Sequence, residues 1–86
     1  MPYISQRKRR RLDPLITALD MALIGASEGE VNYVISRLID IHYYEGGYAG
    51  YNAALGVLEA VKQEYYRRVV APYEDKKKLE NGDVYL

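Results

Sequence analysis

Hydrophobic positions along this chain recur at intervals of three and four, the period of an amphipathic helix. Leu15, Ile16, Leu19, Ala22 and Leu23 form the first stripe. Asp13 is a good N-cap for it, Pro14 suits a first helical position and Gly25 stops it. A second helix opens on Ser27 and Glu30, spaced as a capping box. Its face is Val31, Val34, Ile35, Leu38, Ile39 and His42. The segment "EGGYAG" then reads as a turn. A third helix is predicted over residues 51–70, with Ala54, Leu55, Leu58, Val61, Tyr65 and Val69 on one face. Gly56 within it suggests a close backbone crossing, by the second helix or by another copy, because glycine costs about 1 kcal/mol against alanine there. Pro72 should kink or end that helix.

After Pro72, "PYEDKKKLENG" reads as a short helix of its own. Glu74 and Asp75 lie near its positive end and Lys76 to Lys78 toward its negative end. Asn81-Gly82 closes it. The final "DVYL" is expected to be a frayed tail or a short edge strand docked on another chain. At the other terminus, residues 1–11 read as an arm. "MPYI" is extended because Pro2 disfavours helix before it, and "RKRRR" repels itself. The expected fold is all-α: a hairpin of the second and third helices, the first helix beside them, and a short C-terminal helix after Pro72. A single helical domain covers residues 12–86. Three stripes on three short helices exceed what one chain covers, so the reading includes a homo-oligomer, a dimer or larger.

Composition narrows this picture. Eighty-six residues make one domain at most, and a chain of this size buries only about 60–65 % of its unfolded surface. Cysteine is absent and histidine occurs once, which excludes disulfides, thiolate zinc sites and thiol catalysis. No signal peptide or membrane span is evident, so a soluble cytoplasmic protein is expected. Net charge is zero but unevenly placed. Arg7, Lys8, Arg9, Arg10 and Arg11 face no acid in the arm, whereas residues 12–66 set eight acids against Arg37 and Lys62. A basic arm on an acidic body suggests contact between subunits or a phosphate-bearing partner. All ten aromatic residues are tyrosines. Tyrosine suits half-buried interfaces and ligand edges as well as cores.

Candidate chemistry is sparse. His42 and Glu45 are three apart, but a carboxylate-bridged metal site needs further inward acids, and His42 reads better as a half-buried member of the stripe. Ser5, Thr17, Ser27 and Ser36 have no evident base. "EGGYAGYN" precedes a helix yet lacks the lysine of a phosphate loop. We therefore expect no enzyme, no catalytic residue, no metal and no cofactor. The basic run Arg7–Arg11 suits nucleic-acid phosphates or a host protein. The densest candidate is "EYYRRVVAPY": Tyr65, Tyr66, Arg67, Arg68 and Tyr73 combine aromatic faces with fork-shaped donors, a combination fit for a nucleotide or another anion. The intramolecular alternative pairs both arginines with Glu64, Glu74 and Asp75.

The segments "MPYI", "LDP", "NYVISRL" and "LGVLEAVKQEYYRRVVAPYEDKKKLENGDVY" resemble a family of short uncharacterised proteins of phages, prophages and prokaryotes. The resemblance spans nearly the whole chain and is densest over residues 54–85. It implies a small accessory protein of viral or mobile-element origin, acting in a host cytoplasm, and supplies no catalytic residue. The combined expectation is a non-enzymatic helical oligomer that binds an anionic partner through its Tyr/Arg surface. An adaptor that binds a host protein or nucleic acid through the arm is the alternative.

Overall fold

A computed structural model describes residues 3–85, and every regular element among them is helical. In chain order these are α1 (Gln6–Ala22), α2 (Glu28–Tyr43), α3 (Gly47–Tyr65), a π-helical turn (Tyr66–Val70) and α4 (Ala71–Asn81). The chain divides into two compact units, Met1–Ala54 and Leu55–Leu86.

In the first unit, α1 begins earlier than its apolar stripe suggested. Ser5 is the N-cap, and its hydroxyl accepts the Lys8 backbone N–H at 3.3 Å. The basic run is therefore helical, and Asp13-Pro14 lies inside α1 rather than at its start. Arginine and lysine are good helix formers once a cap exists. Pro14 leaves the Arg10 carbonyl without its usual partner four residues on, at an exposed position that water can serve. Gly25, at φ 76°, turns the chain after α1 in a conformation other residues rarely adopt.

α2 begins as its sequence dictates. The Ser27 hydroxyl accepts the Glu30 N–H at 3.2 Å, and the Glu30 carboxylate accepts the Ser27 N–H at 3.2 Å. Two otherwise orphaned donors are satisfied. The turn to α3 depends on Gly46, where an added Cβ would stand 2.5 Å from the Gly50 Cα.

The second unit corrects the expectation for Pro72. Backbone angles stay helical through Val70 (φ −77°, ψ −46°) and Ala71 (φ −60°, ψ −46°). The proline is accommodated by widening the preceding turn: the Ala71 N–H donates to the Tyr66 carbonyl, five residues back. Such π turns relieve strain by inserting a residue into the helical ladder. α4 ends where expected, with the Gly82 N–H on the Lys78 carbonyl at 2.8 Å. The Asp83 carboxylate then accepts the Tyr85 N–H at 2.9 Å, which bends the described part of "DVYL". Leu86 lies outside the described residues, as do Met1 and Pro2.

Burial is where sequence and structure part most. Ala54 is the only buried residue among those described. Most residues of the stripes expected to pack against one another are exposed, Leu15 at 67 %, Leu38 at 55 % and Leu55 at 65 % among them, while Leu23, Val34 and Ile39 are half-buried. His42 is exposed rather than half-buried, its ring edge-on to Tyr43 at 4.7 Å. Gly56 has open space where a Cβ would stand.

Candidate functional site

The π turn sets the positions of the residues singled out from sequence. Arg67 donates to both oxygens of Glu64, with Nη2 at 2.9 and 3.0 Å. Arg68 Nη1 lies 3.6 Å from the same Oε1. Both guanidiniums thus reach one carboxylate across one helical turn, a form of the intramolecular pairing weighed above. The arginine side chains stay 66 % and 59 % exposed, while Glu64 is the more sheltered partner at 28 %. Exposed pairs of this kind add little stability. The guanidinium forks are held to the helix while much of each remains in solvent. Tyr65 is exposed beside them.

Tyr66 and Tyr73 take a different direction. They line an open groove of about 480 Å³, together with Glu74, Asp75, Lys77, Lys78 and the tail residues Asp83, Val84 and Tyr85. Hydrogen bonding to the Glu74 carboxylate, then the Glu74 charge, slight desolvation and the Asp75 charge, hold the pKa of Tyr66 above the ordinary 10.0. Lys77 is paired with Glu80 at 3.1 Å, and its ammonium lies 5.6 Å from the centre of the Tyr73 ring. The groove is therefore aromatic and mixed in charge, and Tyr65, Arg67 and Arg68 are not among the residues that line it. The five-residue cluster read from sequence resolves into a pair of arginines on Glu64, a pair of tyrosines in a groove, and Tyr65, exposed and in neither.

Sequence reasoning missed the tail's part in this groove. Gly82, at φ 87° and ψ 157°, sends residues 83–85 off the helix axis. The Asn-Gly signal marked the helix end but not the direction taken after it.

The basic run occupies the first turns of α1, with no acid in the first turn. The Arg9 Nε donates to the Ile4 carbonyl at 3.0 Å. Among the described residues, no cluster of three or more histidine, cysteine or acidic side chains is placed to hold a metal ion. No described helix is long and apolar enough to cross a membrane.

These features define a small all-helical protein with a largely uncovered apolar surface and two charged regions. The chain belongs to the family described as Domain of unknown function (DUF6899), whose model matches residues 1–84. No curated protein and no solved structure matches it.

Proposed function

We propose that this is a non-enzymatic accessory protein, of phage or mobile-element origin, that assembles with copies of itself and holds an anionic partner, a nucleotide or similar phosphate ligand, at Arg67 and Arg68. The observation that carries the reading is the near absence of a core. Nearly half the residues are hydrophobic, yet only Ala54 among those described is buried. A chain that hides so little apolar surface lacks the main favourable term of folding. Copies that cover the stripes of α1, α2 and α3 supply it. Arg67 and Arg68 then offer adjacent planar donors suited to phosphate, with Tyr65 exposed beside them for stacking.

Light scattering tests the assembly, and a dimer or larger species at micromolar concentration is expected. Replacing Leu38 with Asp should shift it toward monomer. A nucleotide panel read by thermal shift tests the ligand. Stabilisation of wild type that disappears in Arg67→Ala/Arg68→Ala, with the assembly intact, supports the site. An unmoved wild type rejects it.

The second reading is an adaptor working through Arg7–Arg11. It is favoured by the presentation of all five cations on one helical segment. Reversing Arg9 and Arg10 to Glu discriminates: an adaptor should lose its host protein or nucleic acid, whereas nucleotide binding at Arg67 and Arg68 should persist.

A further inference from the structure

Three tyrosine rings and three carboxylates face the groove beside α4: Tyr66, Tyr73 and Tyr85, with Glu74, Asp75 and Asp83. The two lysines of the lining partly offset the acids, but Lys77 is engaged with Glu80. Tyrosine faces attract cations, and a guanidinium both stacks on a ring and forks onto a carboxylate. Tyr73 already shows this preference, with the Lys77 ammonium over its ring. Hydrogen bonding to Glu74 first, and then the charges of Glu74 and Asp75, make the Tyr66 hydroxyl hold its proton more tightly than an ordinary phenol does. An anion entering here would meet those same charges.

The chain carries the complementary element. Arg7, Lys8, Arg9, Arg10 and Arg11 are consecutive cations on the first turns of α1, at the positive end of that helix and with no acid in its first turn. Cations there oppose the helix dipole, so the segment gains from an external negative surface.

We propose that the Tyr66–Tyr73–Tyr85 groove, with its carboxylates Glu74, Asp75 and Asp83, receives the basic turn Arg7–Arg11 of a second copy of the chain. This rests on the reading that copies associate, and it names one surface by which they do. Each copy carries both halves of the contact. Reciprocal exchange closes a dimer, and one-way exchange gives a ring or a filament. The contact is between exposed charges and weakens as salt rises.

The test uses the full chain with a photoreactive benzoylphenylalanine at position 85, mixed with isotope-labelled copies. Mass spectrometry of the irradiated mixture identifies which segment of the labelled copy is captured. Cross-links from position 85 to residues 7–11 of the labelled copy are expected. Glu74→Lys with Asp75→Lys should reduce them about fivefold, as loss of two exposed ion pairs implies. A labelled copy bearing Arg9→Glu and Arg10→Glu should restore them. Should the double variant lose helicity by circular dichroism, Asp83→Lys, beyond the last turn of α4, takes its place. Capture of the apolar faces of α1 or α2 instead overturns the groove assignment while leaving self-association standing. A monomer by light scattering, with no product between copies, removes both. Nucleic acid on the basic turn, with no capture of that turn by position 85, also overturns the proposal.

Discussion

The helices α1 and α2 open on the same residue and diverge three positions later. Ser5 and Ser27 are both N-caps whose hydroxyls accept a backbone N–H, from Lys8 at 3.3 Å and from Glu30 at 3.2 Å. In α2 the third residue is Glu30, which returns a bond to Ser27, and Glu28 adds a second acid to the first turn. In α1 the third residue is Lys8, a cation that leaves the Ser5 N–H unserved by a box and stands at the positive end of the dipole. α2 is built to start a helix. α1 has a workable cap beneath a charge pattern that helix stability does not call for. The difference teaches that the basic run is not what starts α1: the Ser5 cap does that against an unfavourable charge pattern.

The largest expected effect comes from making α2 resemble α1. Glu30→Lys removes half of the box and puts a cation at the positive end, which should cost α2 about 1–2 kcal/mol. Hydrogen exchange of the amides at Val31 to Ile35 reads it directly, and unchanged protection would mean that α2 is held by something other than its own start.

The converse change should be smaller. Lys8→Glu gives α1 the Ser-x-x-Glu spacing of α2 and should stabilise its first turns by about 1 kcal/mol at low salt. Part of that gain is electrostatic and should shrink in roughly 0.5 M salt, where screening is strong. Amide protection at Arg9 to Leu12 in dilute protein measures it. A gain equal at both salts would reduce the dipole argument to the hydrogen bond alone.

A third change compares the caps themselves. Ser27→Ala removes a reciprocal pair and should cost about 1 kcal/mol, whereas Ser5→Ala removes one longer bond and should cost about half of that. Equal losses by circular dichroism would mean that the two starts differ in charge only.

The same contrast explains what was legible in the sequence. The start of α2 was, because four residues carry its whole mechanism, and so was the end of α4 at Gly82. The start of α1 was not. Asp13-Pro14 carries a strong local start signal, yet Ser5 caps the chain eight residues sooner and the intervening arginines propagate the helix through Pro14. Pro72 misled for a related reason: its effect passes into the turn before it, where the Ala71 N–H reaches back to Tyr66, and no side-chain pattern announces a π turn. Of the candidate site, the reach of Arg67 and Arg68 to Glu64 followed from spacing of three and four. The separation of Tyr66 and Tyr73 into a groove with Asp83 and Tyr85 did not, since it depends on the backbone angles at Gly82.

The smallest expected effect lies in α4, which follows α2 in placing an acid, Glu74, in its first turn. Here the carboxylate also receives the Tyr66 hydroxyl, and the raised pKa of Tyr66 comes first from that bond. The sign of the linkage follows. A phenol whose pKa is higher in the folded chain than its ordinary 10.0 contributes stability that is fully present below pH 10 and fades as pH climbs through the folded value. Helicity of wild type should therefore exceed that of Tyr66→Phe at neutral pH, and the gap should close as the solution is taken well above pH 10. Absorbance at the phenolate band gives an independent reading. Tyr66 is one of ten tyrosines, so its removal should delete a small, late-titrating part of the curve and leave the earlier part unchanged. A deletion from the early part would mean that Glu74 does not hold this hydroxyl in solution, and the start of α4 would then owe its acid to the dipole alone, as Glu28 does in α2.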